Sequence, residues 1–197
     1  MSSTHGALRI IELTSARLCD EFSGVVVPLE GAASGEPWDR AAFEAGLARL
    51  RLRQAAWQAT EHPVSLAQVA TLANGLPGDV GVDMSSLPPA SVFPAATGRI
   101  ILNLLLLAAD SLPAGGVVML AGTVDDLLIR IAGPAAAWPA GLALCVVDET
   151  ATRAALTEAG SLQMGITALL AHGLGVRLSL LMPPARLNQP AILRLGG

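Results

Sequence analysis

The first part of the chain places apolar side chains at alternating spacings of three and four, which is the pattern of an amphipathic helix. One such row covers residues 5–30 in a heptad arrangement. A second row begins at residue 37 or 38 and ends near residue 60. Because the stretch GAASGEP (31–37) between them is rich in turn residues, the pattern predicts two antiparallel helices joined by a short loop.

A single hairpin of this kind cannot bury both apolar rows, whereas two hairpins related by a two-fold axis form a four-helix bundle that can. We therefore predict a homodimer. Its predicted bundle core consists of Leu8, Ile11, Leu18, Phe22, Val25, Phe43, Leu47, Leu50 and Trp57. Pro28 has no N–H and is expected to kink or end the first helix, and Pro37 suits the first turn of the second.

Beyond residue 63 the apolar runs become short and are separated by Gly and Pro turns, which is typical of a sheet with helices. The capping-box sequence SLAQ (65–68) predicts a short helix to about Asn74, with Gly75 supplying an αL cap. The further predicted elements are a strand at 79–84, a linker at 87–94, a helix at 94–111, strands at 117–124 and 126–133, a helix at 161–172 and strands at 176–182 and 191–195. Residues 135–160 are ambiguous.

These elements predict an α+β protein with two domains. Residues 1–63 form the helical hairpin, and residues 64–197 form a two-layer α/β sandwich whose mostly antiparallel sheet has helices on one face. Hydrophobic residues make up 52% of the 197-residue chain and charged residues 14%, so a substantial core is available and disorder is not expected.

The charge pattern argues against binding to nucleic acid, because the formal net charge is −4 and no basic stripe occurs. We interpret RLRLR (49–53) as a solvated helix face. The longest apolar run, IILNLLLLAA (100–109), is too short to cross a membrane. No signal peptide is expected, and the widely separated Cys19 and Cys145 indicate a reducing cytoplasm.

Few residues suggest chemistry by themselves. The sequence has no nucleotide-binding glycine motif, nucleophile elbow or metal-spaced cluster, so we predict no cofactor and no metal. His5, His62 and His172 are isolated, and we interpret His62 as solvent-facing and His172 as a partner for the end of a helix dipole. The pair Asp20 and Glu21 points to two sides of a helix, which favours a solvated face over an acid–base pair.

Two motifs nevertheless resemble a known family. The segment ARLCDEF (16–22) resembles the motif ARLCH(D/E)(F/L) of the ChpT-type histidine phosphotransferases of alphaproteobacteria. The segment RIILNLLLLAADSLPAGGVVML (99–120) resembles the helix–turn–strand signature of the same family. The order of elements is that of a histidine-kinase core, and the resemblance spans nearly the whole chain.

The resemblance implies a role in phosphorelay signalling. In this family a histidine accepts a phosphoryl group from the aspartate of one receiver domain and passes it to another, while a kinase-like C-terminal domain that binds no ATP helps to hold the receiver. Asp20 stands at the position of that histidine, so we expect no phosphotransfer, and Arg17, Asp20 and Glu21 become partner-binding candidates.

The nucleotide motif is also altered. Kinases carry a Glu or similar residue four positions before a signature Asn and another Asn four positions after it, whereas Arg99 and Leu107 flank Asn103 here. The resemblance therefore implies an ATPase-like domain without ATP. Three functions stay open: a cytoplasmic homodimer that binds receivers without phosphotransfer, a dimeric interaction protein with another partner, and an active phosphotransferase that uses another histidine.

Overall fold

A computed structural model describes residues 3–35, 37–182 and 190–196. It begins with two long helices, α1 (Ser3–Ala33) and α2 (Arg40–Trp57). Helix α2 starts after Asp39, whose carboxylate accepts a hydrogen bond from the backbone N–H of Ala42 at 2.9 Å. Pro37 therefore precedes the helix, and the prediction that it occupies the first turn is wrong.

Helix α1 continues past Pro28 to Ala33, so the alternative that the helix ends at Pro28 is wrong. The proline removes the hydrogen bond to the carbonyl of Gly24, and its ring crowds that carbonyl. That carbonyl packs against α2 at Gly46, where an added Cβ would lie 2.2 Å from the oxygen of Gly24. This close approach of two glycines brings α1 and α2 together one turn before the proline.

The remaining elements form the α/β part of the molecule. In chain order they are β1 (Val64–Ser65), α3 (Leu66–Ala73), β2 (Val80–Asp83), β3 (Val92–Phe93), α4 (Ala95–Asp110), β4 (Gly116–Gly122), β5 (Asp126–Ala132), α5 (Leu142–Cys145), α6 (Glu149–Ala155), a 3-10 turn (Ala159–Ser161), α7 (Leu162–Leu174), β6 (Arg177–Leu181) and β7 (Ile192–Gly196). The ambiguous segment 135–160 thus contains two short helices, and the capping box predicted at Ser65 is confirmed.

Within the described residues, the main sheet has five strands in the order β2-β4-β5-β7-β6. Only β2 and β4 are parallel, and the other neighbouring pairs are antiparallel. Buried and accessible residues alternate along β5, as expected for a sheet with one face covered by helices. The predicted mostly antiparallel α+β architecture is confirmed.

One hydrophobic core joins this sheet to the helices. Most of α4 is buried, and Leu52 and Ala56 of α2 belong to the same core with no exposed surface. The hairpin is therefore attached to the α/β part through the second half of α2. The heptad pattern did not predict the burial of Leu52 and Ala56, because α2 packs against α4 as well as against α1.

Two local predictions need correction. Gly75 does not adopt a positive φ, and its role is spatial, since an added Cβ would lie 2.4 Å from the carbonyl oxygen of Ala48 on α2. The predicted linker 87–94 contains β3, which pairs with β1, and Phe93 is fully buried. In this Pro-rich context, the sequence does not distinguish a buried aromatic side chain from a loop residue.

Candidate functional site

Asp20 lies on the exposed side of α1, as predicted, at the edge of a cavity of about 170 Å³. The cavity is enclosed by α1, α2, the end of α4 and the start of α7. Its walls are formed by Leu13, Ala16, Arg17, Asp20, Arg53, Trp57, Asp110, Ala159, Leu162 and Gln163. Within the described part of the chain, the carboxylate of Asp20 forms no hydrogen bond or ion pair.

Arg17 connects α1 to the end of α4. Its Nη2 lies 3.4 Å from Oδ1 of Asp110, and both side chains are partly exposed. Burial raises the pKa of the Asp110 carboxyl, while the positive charges of Arg17 and then Arg53 act in the opposite direction. Arg17 thus contributes one positive charge to the wall of the cavity beside Asp20.

Glu21 does not share the open position of Asp20, which corrects the prediction of a solvated acidic pair. Its Oε1 accepts hydrogen bonds from Nη2 of Arg53 at 2.8 Å and from Nε of Arg53 at 3.2 Å. The Glu21 side chain is 14% exposed and that of Arg53 only 5%. Arg49 adds a weaker contact at 4.0 Å. Glu21 therefore serves as the counter-charge of a buried arginine.

Arg53 is the functional candidate that the sequence analysis missed. RLRLR was interpreted as a solvated face, but Arg53 is buried between α1 and α2, where burial lowers its pKa and Glu21 opposes that effect. The hairpin register gives the missing signal. With Gly24 opposite Gly46 in the structure, Glu21 falls opposite Arg49 and one turn from Arg53, so a sequence prediction of this pair would need the hairpin register.

The buried end of α2 carries two unusual hydrogen-bond donors. The guanidinium of Arg53 lies 5.2 Å above the ring of Trp57, a cation–π arrangement. Among the residues that the structure describes, neither Nη1 of Arg53 nor Nε1 of Trp57 has a hydrogen-bond acceptor. Both residues line the cavity next to Asp20.

Two of the three residues that the resemblance predicts as an altered nucleotide motif, Arg99 and Asn103, form an internal junction. Nδ2 of the fully buried Asn103 donates to the carbonyl oxygen of Ala56 at 2.6 Å, and Oδ1 accepts from Gln163 at 3.2 Å. Arg99 donates through Nε to the same carbonyl at 3.3 Å and through Nη2 to the carbonyl of Trp57. The two side chains thus satisfy carbonyls at the end of α2 that would otherwise lack partners. Leu107 is buried in the core.

The nine predicted bundle residues divide into two groups. Leu8, Ile11, Leu18 and Phe22 on α1 are 36–61% exposed in the single chain. The other five are partly buried, and these are Val25, Phe43, Leu47, Leu50 and Trp57. The apolar row of α1 thus remains uncovered, whereas Trp57 already packs against the core of its own chain.

Neither of the two described histidine side chains, those of His62 and His172, lines the cavity beside Asp20. His62 is exposed, as predicted, and lines a separate groove with Arg99. His172 lies in the last turn of α7, where its Nε2 is 2.9 Å from the carbonyl oxygen of Cys145. The side chain of His5 lies outside the described residues. Within the described ranges, no three His, Cys, Asp or Glu side chains form a group that could hold a metal ion.

Comparisons with known proteins place this geometry in context. The family model described as "Histidine phosphotransferase C-terminal domain" matches residues 80–186, which is more than half of the chain. No curated protein matches the sequence. Across the described residues, no helix has both the length and the apolar character needed to span a bilayer.

One solved structure shares the fold at low sequence identity, and a second shows a weaker likeness. A bacterial phosphotransferase structure at 1.7 Å is 17% identical, with a TM-score of 0.61, and the match covers 99% of this chain and 97% of that one. The histidine kinase domain of the blue-light-activated kinase from Erythrobacter litoralis EL346 is 15% identical, with a TM-score of 0.40 over 98% and 94% of the two chains. The first of these likenesses extends over both the hairpin and the α/β part.

Proposed function

The chain belongs to the histidine phosphotransferase C-terminal domain family, and from this premise we propose that it is a phosphorelay protein of two-component signalling. Its task is to bind the receiver domains of response regulators, and it carries no phosphoryl group on residue 20. The fold shared with a bacterial phosphotransferase over nearly the whole chain supports the family arrangement of hairpin and α/β domain.

The observation that carries this proposal is the exposed, unpartnered carboxylate of Asp20. It stands where the resembled motif has its histidine, on a helix surface that a partner can reach. A carboxylate that receives a phosphoryl group usually depends on a bound metal ion. The described side chains around Asp20 supply no group of metal ligands, which favours binding over phosphotransfer.

A second copy of the chain covers the apolar row of α1 in this proposal. Leu8, Ile11 and Phe22 expose more than half of their surface, and such a row along one helix is typical of an interface. Closed two-fold dimers are the commonest assembly, and four antiparallel helices bury such rows efficiently. The proposed dimer works in the cytoplasm, where receiver domains act, and it uses neither ATP nor another cofactor.

The test is direct binding to purified receiver domains from the source organism, measured by calorimetry. Asp20→Arg places a long cation at the proposed contact and should weaken binding at least about tenfold, equivalent to about 1.4 kcal/mol. The matched control is Arg40→Asp, a charge reversal at the loop end of the hairpin, where Arg40 is largely exposed. This control should bind like the native chain.

Two other results would each assign a different function to the chain. If no receiver binds the native chain, a dimeric interaction protein with a different partner becomes the better assignment. If a receiver transfers label to a histidine of the native chain, the chain is an active phosphotransferase that uses another site.

A further inference from the structure

The cavity beside Asp20 has the size and the opening that suit one side chain of a partner protein. Its volume of about 170 Å³ exceeds the roughly 10–15 Å³ that a water molecule needs and lies below the roughly 300–1,000 Å³ of pockets for small-molecule ligands. Asp20 is exposed, and the side chains of Arg17 and Asp110 are 43% and 41% exposed. Because these three residues line the cavity, its rim is open to solvent.

The charges at this rim leave one carboxylate without a counter-charge. Arg17 pairs with Asp110 at 3.4 Å, and the less accessible Arg53 pairs with Glu21 at 2.8 Å. Within the described ranges, no cation lies within ion-pair distance of Asp20. Burial raises the pKa of Asp110 and Arg17 acts against that effect, so a further cation would also stabilise this carboxylate. The rim therefore favours a positively charged group.

Gln163, at the start of α7, independently requires a hydrogen-bond donor. It lines the cavity and is only 8% exposed. Asn103 uses its side-chain N–H group to donate to the carbonyl oxygen of Ala56, so its Oδ1 faces Gln163 as an acceptor. The atom of Gln163 that contacts this oxygen at 3.2 Å must then be Nε2. This orientation turns the other atom of the amide, the acceptor Oε1, away from Asn103.

Oε1 of Gln163 has no donor among the residues that the structure describes. It differs in one respect from Nη1 of Arg53 and Nε1 of Trp57, which are unpaired and fully enclosed by protein atoms. Oε1 is not enclosed in this way, so it is open to a donor from outside the chain. A largely buried amide oxygen and an unpaired carboxylate thus border the same cavity, and both are acceptors.

The remaining walls favour an amphipathic side chain over a bare inorganic cation. Leu13 and Ala16 of α1 and Leu162 of α7 line the cavity with apolar surface. Lysine and arginine bury their methylene stems along such surfaces while the charged head reaches polar groups. Both heads carry several N–H donors and no acceptor, which matches the two carboxylates and the amide oxygen.

We propose that this cavity receives one lysine or arginine side chain of the receiver domain, whose charged head binds to Asp20, Asp110 and Oε1 of Gln163. The inference rests on the proposed function and adds the chemistry of the contact, since the receiver supplies the cation and this chain supplies the acceptors. Charge complementarity of this kind contributes mainly to the choice of partner and to the rate of association.

The first measurement is calorimetric binding of the full chain to a purified receiver from the source organism. Asp20→Asn keeps the shape of the side chain and removes its charge, and it should weaken binding by about fivefold or more. The matched control is Glu30→Gln, the same change of charge at an exposed position of α1 that does not line the cavity. This control should change the affinity by less than about twofold, whereas a general attraction between opposite net charges would affect both variants equally.

The second measurement is a double-mutant cycle. Each exposed lysine and arginine of the receiver is replaced by alanine in turn and tested against the native chain and Asp20→Asn. For one of these residues, the two substitutions together should weaken binding no more than either does alone, because both remove the same contact. For the other residues, the two effects should multiply.

Circular dichroism establishes that the variants are folded. If Asp20→Asn does not fold, Asp110→Asn removes the other carboxylate of the cavity and should give the same coupling. Equal binding by the native chain and the folded variant, or effects that multiply for every basic residue of the receiver, would overturn this inference and assign water to the cavity. Either result would leave receiver binding itself intact. If no receiver binds the native chain, the proposed function fails, and the inference that rests on it fails too.

Discussion

The side-chain amide of Asn103 on α4 donates a hydrogen bond of 2.6 Å to the carbonyl oxygen of Ala56 in the last turn of α2. Both residues are fully buried. The resemblance predicts that this asparagine belongs to an altered nucleotide motif, and in the structure its amide joins the helical hairpin to the α/β part. Arg99 supports the same junction through the carbonyls of Ala56 and Trp57.

This junction should be important for stability. Asn103→Ala removes the donor to Ala56 and one acceptor of Gln163, and we expect it to lower the free energy of unfolding by about 1–3 kcal/mol. Urea unfolding followed by circular dichroism measures this difference. The control Asn74→Ala changes an exposed residue at the end of α3 and should stay within about 0.5 kcal/mol of the native chain. Equal effects of the two variants would contradict the assigned role.

The sequence predicted this fold well where periodicity and turn chemistry agree. The heptad rows, the capping box at Ser65 and the apolar helix around Asn103 all correspond to elements of the structure. Helix ends were less predictable, because α1 passes through Pro28 with support from its contact with α2. The rule that proline ends a helix considers only neighbouring residues. It therefore does not account for a tertiary contact that offsets one lost hydrogen bond.

Nucleotide binding should be absent. Asn103 and Arg99 donate to carbonyls of α2, and Leu107 is buried where kinases carry a polar side chain. Calorimetry with millimolar ATP and Mg²⁺ should therefore show only heats of dilution. A dissociation constant below about 1 mM, which corresponds to more than about 4 kcal/mol, would contradict this expectation.

Two aspartates should give opposite pH dependences of stability. Burial raises the pKa of Asp110, so the folded state binds its proton more readily than the unfolded state. The stability contribution of Asp110 is therefore fully present below the unfolded pKa of about 3.9 and is lost as the pH rises through the folded value. Arg194 lowers the pKa of Asp126, whose contribution is present above about pH 3.9 and is lost as the pH falls.

Unfolding in urea between pH 3 and pH 7 measures both effects. Relative to the native chain, Asp110→Asn should become more stable as the pH rises, and Asp126→Asn should become less stable. Asp126 accepts two hydrogen bonds from Arg194, at 2.7 and 3.0 Å, and these explain why the pKa of its carboxyl is lowered. The same trend in both variants would show that the assigned causes are wrong.

The proposed dimer can be tested at Phe22, which is 55% exposed in the single chain. If a second copy buries it, Phe22→Ala should cost roughly 3–5 kcal/mol per buried copy and promote dissociation. Val147→Ala is a suitable control, because Val147 is 75% exposed and lies between α5 and α6, away from the hairpin. Sedimentation at low micromolar concentration should show monomers for Phe22→Ala and dimers for the control. A Phe22→Ala protein that stays dimeric would exclude this face as the main interface.

The site was less predictable than the fold. The helical position of Asp20 followed from the heptad pattern, since the position opposite the apolar row faces outward. Arg53 did not follow, because a single arginine is normally solvated and its burial depends on Glu21 across the hairpin. The cavity depends on four elements that are distant in sequence, and periodicity does not show how closely they approach.

Asp20→His tests whether the chain retains the surface of a phosphotransferase. The side chain is exposed, so the substitution should change the free energy of unfolding by no more than about 0.5 kcal/mol. Arg17 is one turn away at the wall of the same cavity and can face a transferring phosphoryl oxygen. A receiver charged with acetyl phosphate should transfer acid-labile, base-stable label to residue 20 of the variant and none to the native chain. In the double variant Asp20→His, Arg17→Ala, labelling should be slower, because a positive charge at the wall of the cavity is missing. If no receiver labels or binds either protein, the surface around Asp20 serves a different partner.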